Sequence, residues 1–301
     1  MTTIGTSLFY DRAAGRLASL SGATTRLQTQ ISTGVRLEAP SDDAVVFARL
    51  QTIARDGADA TVNKKNLDLA RTVLGQADTT LGDVTSQLQR AQELVIQANS
   101  GTLTDANRAI IATQLRGIVD DLVGLANTKD ARGEPLFGAA TGDTAVTRNA
   151  SGTVSFTGTG TPAAIPIGDG LNVQPSESAE RIFGIGGSDI FATLSNFVTA
   201  LETPGAPATS AAASGTISGL AAALDQTSAA RGSIGARAAR LDLESARIEA
   251  TDTARETERS SLEDTDITKA IVDLQKASTI LQATQSSLSR LSQLSLFDYL
   301  R

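Results

Sequence analysis

The sequence predicts a mainly α-helical fold: an elongated coiled-coil or helical bundle built from the N- and C-terminal segments, with a small β-rich insertion domain in the middle. Six of the seven prolines fall between residues 135 and 207, which leaves 41–134 and 208–301 free of proline, as long helices require. Aliphatic residues recur every seven positions on both sides of that block. Aromatic residues make up only 3% of the chain, which favours thin helical layers over a wide globular core.

Composition also narrows the classes of function. The 301 residues include no Cys, His or Trp, so we expect no disulfide and no zinc site of the usual kinds. Acid/base chemistry would be left to carboxylates, Lys or Tyr, and because none of the candidate sites forms a catalytic constellation, we expect no cofactor and no catalytic or metal-binding residues. A net charge of −7 and a pI near 4.8 argue against a nucleic-acid partner. No run of 18 apolar residues occurs, so we expect no membrane span. The N-terminus lacks the pattern of a secretory signal peptide, which predicts a cytoplasmic protein or export without a cleaved signal.

The first predicted helix ends at Gly34. Its apolar positions alternate at steps of three and four, the spacing of a coiled-coil seam: Tyr10, Ala13, Leu17, Leu20, Thr24, Leu27 and Ile31. After this helix, Pro40 interrupts helical structure. We expect Ser41 to cap the next helix, with Asp42 and Asp43 in its first turn.

The second predicted helix has the longest repeat of seven. Its two seam positions are Leu67, Leu74, Leu81, Leu88 and Val95, and Ala70, Ala77, Val84, Ala91 and Ala98. Ser100 and Gly101 end this helix, and Thr104 is placed to cap a third. The third helix is shorter, with apolar residues at Ile111, Leu115, Ile118, Leu122 and Leu125.

The middle block predicts short strands and a small core. Residues 138–181 are rich in Gly and Thr, and the pieces 153–156 and 164–167 alternate as strands do. Residues 183–189 lack the lysine of a phosphate-binding loop, so we interpret them as a turn and cap before a helix over about 189–202. Residues 203–216 predict a flexible connector. Half of the ten aromatic residues could form the core: Phe137, Phe156, Phe183, Phe191 and Phe197.

Two more predicted helices complete the chain. Apolar positions of the first are Leu220, Leu224, Ile234, Ala238, Leu241 and Ile248; those of the last are Ile267, Ala270, Leu274, Ala277, Leu281, Thr284, Leu288 and Leu291. Between them, Glu263, Asp264 and Asp266 stand close together. We expect Asp264 or Thr265 to cap the last helix, with Asp266 in its first turn, where the helix dipole favours an acid.

The same three carboxylates could instead hold a hard cation. A calcium loop would place a further oxygen ligand and a glycine at the positions of Thr268 and Lys269, and the lysine would repel a cation. The sequence therefore favours a helix boundary. A carboxylate-dependent metal-binding protein or enzyme is the alternative from another functional class.

These boundaries predict three domains. A terminal helical assembly domain comprises 1–40 and 262–301, a helical rod domain 41–135 and 208–261, and a β-rich insertion domain 136–207. Nothing else in the chain covers the terminal apolar seam, so we expect that domain to be marginal in a monomer and to drive self-association. The seam residues are Leu17, Leu20, Leu27, Ile31, Ile267, Leu274, Leu281, Leu288 and Leu291. The residues expected at the joint between terminal and rod domains are Pro40, Ser41, Asp42, Asp43, Glu263, Asp264 and Asp266.

Four stretches carry a family resemblance: LQTQISTGVRLEAPSDDAVVFARLQ (27–51), 93–138, 230–242 and 262–300. The first is similar to the N-terminal signature of the flagellin superfamily, the second to the block that follows it, and the last two to the C-terminal domain of that superfamily. Within the superfamily, the chain resembles hook–filament junction proteins more than filament flagellins, which are the alternative. The pieces that carry this distinction are APSDDA (39–44), NTKDARGEPLFG (127–138) and the final SLFDYLR.

The resemblance implies a non-enzymatic structural subunit of the bacterial flagellum, located outside the cell. Its terminal helices would pack with copies of themselves in a ring or helical lattice, next to a hook-side junction protein and flagellin. It also implies export in an unfolded state through the flagellar type III apparatus, assisted by an export chaperone. Termini that are disordered in the monomer would then order only when assembly contacts offset the entropic cost.

Overall fold

The computed structural model describes residues 3–100, 103–130, 132–138, 144–150, 152–158, 162–203 and 210–299. Within these ranges the fold is mainly α-helical, with short strands confined to the middle of the chain, as the sequence predicts. The helices are α1 (Thr3–Thr33), α2 (Ala44–Ala98), α3 (Asp105–Ala126), α4 (Ala179–Phe183), α5 (Ile190–Glu202), α6 (Ser210–Glu263) and α7 (Ile267–Tyr299). The strands are β1 (Val146–Arg148), β2 (Val154–Phe156), β3 (Ile165–Gly168), β4 (Leu171–Val173), β5 (Gly184–Ile185) and β6 (Ser188–Asp189).

The chain divides into two compact units. One contains Met1–Ala58 and Thr251–Arg301, and the other contains Asp59–Ala250. The helices α2 and α6 each contribute residues to both units. The division into three domains stays a prediction.

The core of the unit Asp59–Ala250 follows the repeat of seven in α2. Four leucines at one seam position are at most 1% exposed, and the small residues at the other position are buried as well. The helices α3, α5 and α6 contribute further buried aliphatic side chains to the same cluster. The α2 seam residues in this core are Leu67, Ala70, Leu74, Ala77, Leu81, Val84, Leu88, Ala91, Val95 and Ala98.

In the described part of the insertion, the strands form three antiparallel pairs, β1 with β2, β3 with β4, and β5 with β6, and the helices α4 and α5 lie beside them in sequence. The predicted strands at 153–156 and 164–167 correspond to β2 and β3. Four of the predicted core phenylalanines are fully buried, and the ring centroids of Phe183 and Phe191 lie 5.2 Å apart. Asp189 accepts a hydrogen bond from the Ala192 N–H (2.7 Å) and so caps α5, which confirms the predicted turn and cap.

A tight loop after α3 is organised around a buried carboxylate. One oxygen of Asp130 accepts the backbone N–H groups of Arg132 (2.8 Å) and Glu134 (3.1 Å), and the other accepts the Arg132 guanidinium. Gly133 has a positive φ of 84°, which a glycine adopts without strain. Gln76 of α2 donates to the Lys129 carbonyl (2.7 Å), so the loop is fixed to the helical core.

The predicted flexible connector at 203–216 is wrong for its second half. Residues 210–216 form the first turns of α6, and Ala213 and Thr216 are buried in the core. The segment SAAASG has good helix formers but no breaker apart from one glycine, and burial of its apolar face stabilises the helix. Residues 204–209 lie outside the described part of the chain.

Candidate functional site

The terminal helices α1 and α7 pack along each other within their unit. Seven of the predicted seam residues are half-buried: Leu17, Leu20, Leu27, Ile31, Leu274, Leu281 and Leu288. Ala270 is 5% exposed, and its small side chain lets the helices approach closely. Ile267 is 50% exposed, and Leu291 falls outside the residues whose side chains the structure describes. The assignment of these residues to an assembly seam stays a prediction.

Other large apolar side chains of the terminal helices face solvent. Ile271, Val272 and Ile280 of α7 are 41%, 44% and 52% exposed, and Leu8 of α1 is 51% exposed. At 100° per residue, Ile271 and Ile280 flank the Leu274–Leu281 seam on opposite sides of α7. The apolar surface of α7 is therefore wider than the part that α1 covers. We call Leu8, Ile267, Ile271, Val272 and Ile280 the exposed apolar set.

A short antiparallel bridge connects the ends of α1 and α6. Val35 pairs with Asp264, and the backbone N–H of Arg36 donates to the Glu263 carbonyl (2.7 Å). The N–H of Thr265 donates in return to the Gly34 carbonyl (2.8 Å). Gly34 has a φ of 74°, the left-handed conformation in which many helices end.

The Arg36 side chain strengthens this bridge. Its guanidinium donates to the Leu262 carbonyl (2.9 Å), one of the last carbonyls of α6, which have no partner within the helix. Its own carbonyl accepts from the Gln30 side-chain amide (2.8 Å), so the segment is also fixed to the last turn of α1. Sequence reasoning missed Arg36, because no local pattern indicates a contact that joins residues 226 positions apart. It missed Gln30 as well, whose hydrogen bond to the Arg36 carbonyl supports that long-range contact.

The helix caps differ from the predicted ones at two helix boundaries, between α1 and α2 and between α6 and α7. Asp43, not Ser41, caps α2 by accepting the N–H groups of Val45 (3.2 Å) and Val46 (3.1 Å). Asp42 lies before the helix and turns back to accept the N–H groups of Glu38 and Ala39.

At the other break, Asp266 caps α7 by accepting the Lys269 N–H (3.0 Å), where the sequence predicted Asp264 or Thr265 as the cap. Both breaks thus use the aspartate immediately before the helix, because an oxygen at that position reaches the N–H three residues on. The assignment of Pro40, Ser41 and the neighbouring acids to a joint between domains stays a prediction.

The carboxylates at these breaks are already engaged. Asp264 accepts the Ser260 hydroxyl and Glu263 pairs with Arg259 (3.3 Å). Backbone hydrogen bonds from Ala39 and Glu38 hold the pKa of Asp42 below its usual value. Across the described residues, no three acidic side chains are grouped to hold a metal ion.

An ion pair links α2 and α6 in the same unit. Arg49 donates from Nε to one oxygen of Glu258 (2.6 Å) and from Nη2 to the other (2.8 Å). This paired geometry lowers the pKa of Glu258 and raises that of Arg49. Both side chains remain substantially exposed, so the pair favours the correct register of the helices more than it stabilises the fold.

None of the described helices combines the length and the apolar character that crossing a membrane requires.

Comparison with sequence families gives two matches. Residues 5–141 match the bacterial flagellin N-terminal helical region, and residues 217–300 match the bacterial flagellin C-terminal helical region. Together the two matches cover most of the chain and leave out residues 1–4, 142–216 and 301.

Individual relatives include both hook-associated proteins and flagellins. The chain is 33% identical over 138 residues to flagellar hook-associated protein 3 of Salmonella typhimurium, covering 44% of this chain and 42% of that protein. It is 27% identical over 135 residues to polar flagellin C of Vibrio parahaemolyticus, covering 44% of this chain and 35% of that protein. The match therefore spans less than half the length of these curated relatives.

A solved structure shares the fold. The flagellar hook-associated protein-3 of Legionella pneumophila superposes with a TM-score of 0.64 at 14% identity, over 70% of this chain and 98% of that one. This likeness concerns the fold, since the identity is low.

Proposed function

Because the chain belongs to the flagellin superfamily, we propose that it is a structural subunit of the bacterial flagellum that joins the hook to the filament. The observation that carries the proposal is the similarity to hook-associated protein 3, which at 33% exceeds the 27% identity to a flagellin over a stretch of nearly equal length. We assign the chain no catalytic role and no cofactor.

The proposed mechanism is assembly coupled to folding of the terminal helices. The seam between α1 and α7 is only half-buried, and the exposed apolar set remains open to solvent. Full burial of a Leu or Ile side chain contributes about 1.5–3 kcal/mol, so neighbours that cover these residues would supply what the isolated pair lacks. Ordering two helices of this length costs conformational entropy that a monomer offsets poorly.

The natural occupants of this surface are copies of the same chain in a ring or helical lattice, with a hook-side junction protein and flagellin on either side. We propose that the subunit reaches this position outside the cell by export through the flagellar type III apparatus, with an export chaperone that covers the apolar termini beforehand. A terminal domain (1–40 and 262–301) would then meet a rod domain (41–135 and 208–261) at the acidic joint, and 136–207 would form the outer domain.

Deletion of the gene tests the junction role. A strain that lacks a junction subunit should build hooks and shed flagellin into the medium, because filament subunits have no adaptor to polymerise on. Complementation with the full chain should restore filaments and end the loss of flagellin.

Filament flagellin is the second candidate, supported by the similarity to polar flagellin C. Deletion of a flagellin gene should leave bare hooks with little or no flagellin in the medium. The amount of flagellin that the deletion strain releases into the medium therefore distinguishes the junction role from the filament role.

The coupled-folding mechanism has its own test. Circular dichroism and limited proteolysis of the purified monomer should show termini that are cleaved first and gain helicity on assembly. Termini that resist protease and are fully helical in the monomer would contradict it.

A carboxylate-dependent metal site is the candidate from another class. Calorimetric titration with calcium, magnesium and manganese should show no binding to Glu263, Asp264 and Asp266, which already have partners within the chain. Binding that disappears in an Asp264→Asn variant would instead support a metal-binding role.

A further inference from the structure

The break between α6 and α7 is not imposed by any helix-breaking residue. Residues 236–301 contain neither proline nor glycine, and only residues 264–266 separate the two helices. Aspartate and threonine are modest helix formers, but they occur inside helices elsewhere in this chain. The break must therefore depend on contacts.

The contacts at the break come from the segment 34–36. In an uninterrupted helix, the carbonyls of Leu262 and Glu263 would accept the N–H groups of residues 266 and 267. Here they accept instead the guanidinium and the backbone N–H of Arg36. The Thr265 N–H would bond to residue 261 in a helix, and here it bonds to Gly34. Residues 34–36 thus replace the hydrogen bonds that a continuous helix would make for itself.

Thr265 gives independent evidence for a second conformation. Its hydroxyl is buried and has no hydrogen-bond partner among the described residues. Helical threonines on either side donate to the carbonyl four residues earlier, as Thr257 does to Thr253 (2.8 Å) and Thr284 to Ile280 (2.7 Å). A helical Thr265 would find the Ser261 carbonyl in the same way. The broken form leaves unsatisfied a group that the continuous form would satisfy.

We propose that residues 263–266 are a conformational switch controlled by the N-terminal segment. When residues 34–36 are docked, α6 and α7 are separate helices; when that segment leaves, they join through 263–266 into one continuous helix. The Asp266 cap favours the break and the Thr265 hydroxyl favours continuity, so the docked segment decides between them. Docking of the N-terminal end would in this way set the direction of the C-terminal helix. The inference goes beyond the proposed function and is tested in the assembled state, in which the terminal helices are ordered.

The docked state can be fixed by a disulfide. Val35 and Asp264 face each other as an antiparallel pair whose flanking residues carry the hydrogen bonds, a geometry with Cα atoms about 4.5 Å apart, which suits a disulfide. The chain has no native cysteine, so oxidised V35C/D264C contains one defined cross-link. Its efficient formation is expected, and failure to form under oxidation would contradict the bridge itself.

The undocked state is obtained with Gly34→Val combined with Arg36→Ala. The first change disfavours the left-handed φ of 74°, and the second removes the guanidinium from the Leu262 carbonyl. Arg12→Ala, at an exposed position of α1, is the matched control and should behave as the unmodified chain does.

The readout is the set of Cα chemical shifts of residues 264–266 in each isotope-labelled full-length variant, co-assembled with an excess of unlabelled, unmodified chain and measured by solid-state NMR. We expect non-helical shifts in the oxidised cross-linked variant and helical shifts in the undocked variant. Non-helical or random-coil shifts in the undocked variant would overturn the switch, because the break would then persist or simply unfold. Helical shifts in the cross-linked variant would overturn it equally, since docking would not then produce the break.

Discussion

Asp130 accepts three hydrogen bonds from Arg132: Oδ1 of the aspartate accepts the arginine backbone N–H (2.8 Å), and Oδ2 accepts the guanidinium through Nε (2.9 Å) and Nη2 (2.8 Å). The carboxylate is 2% exposed, whereas the arginine side chain is 46% exposed. The buried acid therefore organises the loop, and the arginine closes it from the solvent side.

Removal of the Asp130 charge should destabilise the unit Asp59–Ala250. In Asp130→Asn, the amide cannot accept at both former oxygens, so at least one of the loop N–H groups or the guanidinium loses its partner; we expect a loss of about 1–3 kcal/mol in the free energy of unfolding. Urea denaturation followed by circular dichroism measures the change. Arg132→Ala is the comparison variant. It should lower the free energy of unfolding by less than Asp130→Asn does, because the arginine side chain that pairs with Asp130 is half exposed to water. An equal loss in the two variants would contradict this division of roles.

The same carboxylate predicts a pH dependence. Burial alone would raise the pKa of Asp130, but the hydrogen bonds from Arg132 and the backbone N–H groups outweigh it and hold the pKa below the ordinary 3.8. A pKa that is lower in the folded state stabilises the fold above the unfolded pKa, and this stability is lost as the pH falls through the folded pKa. The difference in unfolding free energy between the unmodified chain and Asp130→Asn should therefore be constant from neutral pH down to about pH 5 and shrink below about pH 4. A difference that stays constant to pH 2 would contradict the lowered pKa.

Alanine substitutions at two glycines should change the stability of the protein in opposite directions. A Cβ at Gly184, where α4 ends, would lie 2.5 Å from the Glu180 carbonyl oxygen, so the backbone must shift; we expect Gly184→Ala to cost about 1–3 kcal/mol. At Gly82, inside α2, a Cβ would meet nothing within 4 Å. Gly82→Ala should therefore stabilise by about 0.5–1 kcal/mol through helix propensity. Thermal unfolding of the two variants checks both signs, and a stable Gly184→Ala protein would show that this turn is not fixed.

The exposed apolar set should matter for assembly and not for the monomer. Ile271→Ser and Ile280→Ser replace side chains that are 41% and 52% exposed, so the monomer should change by less than about 0.5 kcal/mol. Each lost contact with a neighbour should weaken assembly by roughly 1 kcal/mol per subunit, about half the value of full burial. Sedimentation of assembled material against subunit concentration measures this effect.

Leu81→Ala is the contrasting variant for that experiment. Leu81 is fully buried in α2, so its truncation should cost about 2–5 kcal/mol of monomer stability. If the two serine variants destabilised the monomer as much as Leu81→Ala does, the exposed set would be part of the monomer core and the assembly interpretation would be wrong.

Much of the helical architecture could be predicted because its signals are local and repeated. The α2 seam from Leu67 to Ala98 is buried at every predicted position, since a repeat of seven places those side chains on one face whatever the helix packs against. Thr104 caps α3 as predicted, because a cap requires only a hydroxyl three residues before an N–H. The correction of residues 210–216 to helix shows the limit, since an Ala- and Ser-rich segment can be a connector or a helix until burial decides.

The sequence by itself determined the class of fold, the proline-free helical stretches, the aromatic core of the insertion and the end of α1 before Gly34. Only the tertiary structure decided which aspartate caps each helix, how far the seam between α1 and α7 is covered, and that Arg36 completes the end of α6. The physical reason is the range of the interactions. The effects of helix periodicity and of proline extend over only a few residues, so they can be predicted from the amino-acid sequence alone. The hydrogen bond from Arg36 to Glu263, by contrast, forms only after the two ends of the chain have come together.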